Sequence, residues 1–159
     1  MTHEELLVNT AINSWKTIVG RFNDGVLLLS EEQLQKQVAP GRNRLIYLLG
    51  HLTAVNDRMF SALAIGERLH PELDEIYIAS PDRKFPDPLS AEDLKKAWSE
   101  VNTRLTAAFE KLTPEEWLQR HTAVSEEDFA KEPLRNRLAI LLSRTSHIGF
   151  HSGQAVLTR

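Results

Sequence analysis

A chain of 159 residues, 42% hydrophobic and 26% charged, is long enough for one domain with a substantial core and short for two. Its 22 acidic and 19 basic residues leave a formal charge of −3, with no concentrated basic stripe, which argues against a nucleic-acid partner. The absence of cysteine removes disulfides, thiolate ligands and a cysteine nucleophile together, and suits a reducing cytoplasm.

The opening Met1-Thr2-His3-Glu4-Glu5 carries acids where a signal peptide carries bases, and no apolar run approaches the roughly 18 residues of a membrane span. The expectation is a soluble, cytoplasmic protein. A first long helix is expected from about Glu4 to about Leu29, with Leu7, Ala11, Trp15, Ile18 and Phe22 at three- and four-residue steps. Ser30-Glu31-Glu32-Gln33 reads as a capping box that opens a short helix ending before Pro40-Gly41. A second long helix is expected from an Asn43 N-cap to near Gly66, with Leu45, Leu48, Leu52, Val55, Met59 and Leu63 on one side.

From His70 to Leu89, four prolines (Pro71, Pro81, Pro86 and Pro88) oppose regular helix and predict a long connection, with room for a brief turn around Ile76 to Ala79. Ser90-Ala91-Glu92-Asp93 opens a third helix whose stripe is Leu94, Ala97, Trp98, Val101, Leu105, Ala108, Phe109 and Leu112. Thr113-Pro114-Glu115-Glu116 starts a short helix, followed by a polar loop through Ser125 and Asp128. The fourth long helix is expected from about Pro133 to about Thr158, on a stripe of Leu134, Leu138, Leu141, Thr145, Ile148, Ser152 and Val156. With no convincing period-two strand, the pattern is that of an all-α bundle.

Chemistry is concentrated in the histidines. His147 and His151, four residues apart on one helix, differ by about 40° around its axis, so both imidazoles face one way and suit a shared zinc, nickel, iron or copper ion. They lie off the main stripe, nearer Ile140 and Arg144. Periodicity therefore leaves two arrangements open: facing solvent or a partner subunit, or pointing into a polar cavity. His51 flanks the stripe of the second helix and offers a third ligand, unless it is a hydrogen-bonded core residue. Three imidazoles leave a coordination position free. His3, His70 and His121 read as surface residues, and Asp57 as an exposed helix carboxylate. Arg44 and Arg144 are basic residues that would suit an anionic ligand.

Gly50-His51-Leu52, the lead-in Pro40-Gly41-Arg42-Asn43-Arg44, the run Arg135-Asn136-Arg137-Leu138, and His147-Ile148-Gly149-Phe150-His151-Ser152-Gly153-Gln154 together resemble the DinB-like superfamily of bacterial metal-binding four-helix bundles. The order of elements is similar over essentially the whole chain, residues 1–159, as one domain. The resemblance implies an up-down-down-up topology with a long crossover between the second and third long helices. It also places the metal ligands at His51, His147 and His151. Homodimers are common in the superfamily, and Phe150 or Leu157 would suit that contact. Gln154 falls on the Gly-Gln that follows the pair, and would bond near the site or end the helix.

Some relatives are thiol transferases or isomerases that use bacillithiol or mycothiol. The implied function is thus a metal-dependent thiol S-transferase. It would use a divalent ion (zinc or nickel first, iron or manganese next) to activate a low-molecular-weight thiol against an electrophilic small molecule. A metal-dependent hydrolase, or a non-catalytic stress-related or binding module with a structural metal, are the alternatives.

Overall fold

In the computed structural model, which describes residues 1–158, the chain is all-helical, and the only β pairing among the described residues is two isolated bridges. Helix α1 (His3–Phe22) starts at a complete Thr2/Glu5 capping box and buries Val8, Ala11, Ile12, Trp15 and Phe22. It ends earlier than its apolar pattern suggests. From Asn23 to Leu27 the chain continues as a wider π-helical turn, and the Asn23 side chain accepts a 2.7 Å hydrogen bond from the Trp98 indole. The Ser30/Gln33 capping box forms as expected and opens the short α2 (Glu31–Leu34).

Helix α3 (Leu45–Asp57) begins one residue later than Asn43 would make it. Arg44 is the N-cap without using its own side chain, and its backbone N–H donates to the Asp82 carboxylate at 2.8 Å. The distant crossover thus satisfies the N–H of the cap residue itself, while the Lys36 carbonyl accepts from Leu45 N at 3.0 Å. Every residue of α3 except His51 is buried. The helix breaks at Arg58, resumes as α4 (Met59–Ala62), and is stopped by Ala64 at φ 52°.

The proline-rich crossover holds a 3₁₀ turn at Pro71–Leu73 and the short α5 (Asp74–Tyr77), slightly earlier than the turn allowed for in the sequence. Helix α6 (Ala91–Phe109) is capped by Ser90, and α7 (Pro114–Trp117) by a Thr113/Glu116 box. The polar loop expected through Ser125 and Asp128 contains a further short helix, α8 (Glu126–Lys131), because Ser125 caps it. Helix α9 (Arg137–Val156) starts at Asn136, whose side chain accepts from Ala139 N at 3.0 Å. Pro133 and Leu134 therefore lie outside it, and Leu134 is 79% exposed. At the other end Val156 is 57% exposed. The buried line of α9 is Leu141, Ile148, His151 and Ala155, so the stripe is rotated towards the histidines.

Two helix pairs dominate the packing, α1 with α9 and α3 with α6; smaller contacts of α1 with α6 and α3 with α9 join them. Aromatic rings fill the core: Trp15 and Trp117 meet Phe109 edge-on with centroids 5.4 Å apart, and Phe22 lies 4.5 Å from Trp98. Among the described residues no helix is long and apolar enough to cross a membrane.

Ion pairs pin the crossover to α3 at both ends. Near its start, Asp57 accepts from Arg68 Nε (2.9 Å), Leu69 N (2.7 Å) and His70 N (3.2 Å), while Arg68 also grips Asp74. Asp57 is fully buried and not the exposed carboxylate its helix position suggested, because it caps the turn that returns to α3. Towards the other end, Arg44 forks onto Asp82 and Asp87, and Tyr47 Oη donates to the Ser80 carbonyl at 2.5 Å. Arg44 is thus saturated by two carboxylates. That corrects its reading as a free cation for an anionic ligand.

Candidate metal centre

The structure brings His51, His147 and His151 together, with one ring nitrogen of each within 4.8 Å of the others. The Nε2 of His147 lies 3.0 Å from that of His151 and 3.3 Å from that of His51. The pair on α9 is positioned by its four-residue spacing, and His51 meets it where α3 crosses α9.

Two of the rings are oriented by what their other nitrogen does. His51 Nδ1 lies 2.7 Å from the backbone carbonyl of Tyr77, and His151 Nδ1 lies 2.7 Å from the Gln154 amide oxygen. Both oxygens accept only, so each Nδ1 carries the proton and each Nε2 presents a lone pair to the centre. His147 has a buried Nδ1 without a partner. Placing its proton on Nε2 would satisfy one facing lone pair and leave the other unmatched. A cation between the three nitrogens satisfies all of them, and 3.0–3.3 Å separations suit ligands about 2.1 Å from a common ion. The residues present fit a divalent metal.

The Tyr77 carbonyl reaches His51 because Gly50 has no side chain. A Cβ there would lie 2.5 Å from Cδ1 and Cζ of the Tyr77 ring, which is itself fully buried. The Gly50-His51 dipeptide thus supplies one of the three imidazoles and the close approach that orients it.

Electrostatics favour neutral imidazoles. Burial, then the neighbouring His151, His51 and Arg144, push the His147 pKa down to about 4. His151 is also lowered, by burial first and then by His51, against the opposing bond to Gln154. A cleft of about 260 Å³ opens beside His151 and Gln154, walled by Arg42, Asn43 and Leu48. A larger apolar cleft between α1 and α9, about 430 Å³, holds no histidine.

Of the other singled-out residues, His3 is exposed, as expected, whereas His70 and His121 are half-buried. His70 Nδ1 meets Glu72, and Nδ1 of His121 is enclosed without a partner. Neither joins the cluster. The oriented carbonyl of Tyr77 left no mark in the sequence, since any residue supplies one; only Gly50 hinted at a close approach. Arg144, on the histidine side of α9, is half-buried.

Comparison with curated proteins finds no match to the chain. The family model described as the DinB superfamily matches residues 20–155, a span that contains all three histidines, Gly50, Tyr77 and Gln154. The chain belongs to the DinB superfamily.

Proposed function

We propose that His51, His147 and His151 hold one divalent cation, zinc or nickel before iron or manganese, and that the protein transfers a low-molecular-weight thiol to an electrophilic small molecule. The observation that carries this reading is the convergence of three imidazole nitrogens within 4.8 Å, two of them with their protons held on the far side of the ring. When bound, the ion supplies Lewis acidity that lowers the pKa of a thiol meeting it.

The chain's own residues bind and orient. The Tyr77 carbonyl and the Gln154 amide hold protons on Nδ1 of His51 and His151, and so keep both Nε2 lone pairs on the site. Burial of α3 on every side of His51 keeps that helix from shifting, which fixes the ligand geometry. The chain has no cysteine, so the thiol comes from outside. The same reading takes residues 1–159 as one four-helix bundle of up-down-down-up order in the cytoplasm. It pairs as a homodimer through Phe150 and Leu157, which are 64% and 74% exposed.

Metal content by mass spectrometry, on protein purified without a histidine tag or nickel column, tests the site, with His51→Ala alongside. Near-stoichiometric metal lost in the variant is expected. No metal after reconstitution with zinc, nickel or manganese would refute the reading. Loaded protein that joins no thiol to any of a panel of electrophiles would refute the transferase and leave a binding module.

A further inference from the structure

Arg144 is one of two half-buried arginines whose side chains have no hydrogen bond or ion pair among the described residues, and it is the one on the histidine side of α9; the other, Arg137, stands at the start of that helix. Arg44 and Arg68 each grip two carboxylates, and Arg58 is paired with Asp74. Arg144 is half-buried on α9 and has no hydrogen bond or ion pair among the described residues. None of its nitrogens is sealed from solvent. The two carboxylates on this stretch of α3 and the crossover that are not exposed, Asp57 and Asp74, are already taken by Arg68 and Arg58. A half-buried guanidinium whose nitrogens still reach solvent and have no counter-charge is free to receive an anionic group from outside.

Its position says where that charge arrives. Arg144, His147 and His151 share one line along α9, Arg144 being one turn ahead of His147 and about 4.5 Å along the axis from it. On α3, Arg58 stands seven residues beyond His51 and so shares its side of the helix. The two arginines are close enough to act on one another: burial first, then Arg58, lowers the Arg144 pKa. One side of the histidine cluster is therefore positively charged and keeps one guanidinium unspent.

We propose that Arg144 is the anion-recognising residue of the histidine site, receiving a carboxylate on the small molecule that reaches His51, His147 and His151. The planar guanidinium matches a carboxylate through two parallel N–H donors. Arg144 shares its line of α9 with His147 and is near enough to act on it, so a carboxylate at the guanidinium and an atom at the histidines belong to one small molecule. The ligand is a small acidic molecule. This inference rests on the metal reading above.

The test uses the full chain loaded with cobalt(II), whose absorption reports both metal uptake and a sulfur ligand. Wild type, Arg144→Gln, Arg144→Lys and, as a control on the exposed face of α6, Arg104→Gln are titrated with 3-mercaptopropionate and with its uncharged methyl ester. All four proteins take up cobalt alike. Wild type and Arg104→Gln prefer the acid by about tenfold or more, as expected for a hydrogen-bonded charge. Arg144→Gln loses the preference, and Arg144→Lys keeps part of it. A wild type that takes up no cobalt sinks the metal reading and this inference with it. Cobalt uptake with both probes bound alike, or neither bound, overturns the inference alone. So does a preference that survives Arg144→Gln, or one that vanishes in Arg104→Gln.

Discussion

Replacing Gly50 with alanine isolates the contact that orients His51. The added Cβ would sit 2.5 Å from two atoms of the Tyr77 ring, so α3 and α5 must separate by about 1 Å to reach ordinary contact. The ring cannot swing away, because it is fully buried and packed 5.7 Å from Tyr47. Overpacking of this severity costs about 3 kcal/mol, and alanine returns about 1 kcal/mol of helix propensity. The net loss of about 2 kcal/mol corresponds to a Tm about 4–8 °C lower for a chain of this length. Separation also draws the Tyr77 carbonyl from His51 Nδ1, and losing such an outer partner weakens metal binding about 10- to 100-fold. Gly20→Ala is the control, since nothing lies within 4 Å of its added Cβ; there alanine stabilises by up to about 1 kcal/mol. Thermal unfolding of the metal-free proteins by circular dichroism, and zinc competition against a chromophoric chelator, read the two effects separately. Should Gly50→Ala melt with Gly20→Ala and bind zinc like wild type, the close-approach reasoning is wrong. A lower Tm with unchanged zinc affinity would refute only the role of the carbonyl.

Asp57→Ala leaves Arg68 half-buried and two backbone N–H groups without their acceptor, and is expected to cost about 3 kcal/mol in urea unfolding; a loss under about 1 kcal/mol counts against the clamp. Burial alone would raise the Asp82 pKa, yet hydrogen bonds from the Arg44 side chain and backbone hold it below the usual carboxylate value. The folded form therefore releases this proton more readily than the unfolded chain. Its stabilisation is complete above about pH 4 and disappears as pH falls towards the folded value. Asp82→Asn should flatten the acid limb of a stability–pH curve between about pH 5 and pH 3, and an unaltered limb would show that the pair contributes nothing there.

The helices were legible because their signals are local: the Thr113/Glu116 and Ser30/Gln33 boxes close within one turn, and all form. Boundaries failed where a distant residue intervened. The Asp82 carboxylate moved the start of α3, and the Trp98 indole engages Asn23 where the α-helical turn of α1 gives way. The His147 and His151 pair was visible in its spacing. His51, 96 residues before His147, was tied to them through its motif and not through periodicity. Asp57 was misread because a helical wheel shows which way a side chain faces, and not the loop that will come back to cover it.

The three histidines also straddle the join between the two main helix pairs. His51 belongs to the α3–α6 pair, while His147 and His151 belong to the α1–α9 pair, and the direct contact of α3 with α9 is modest. An ion held by all three acts as a rivet across the seam along which the molecule would otherwise part most readily. At a hundredfold excess over its Kd, it adds about 2.7 kcal/mol to the folded state. Such a rivet could not be set until residues from the middle and the end of the chain had come together, so capture of an ion would fall late in assembly. In hydrogen exchange, its loss would loosen the α3–α9 seam before either helix pair.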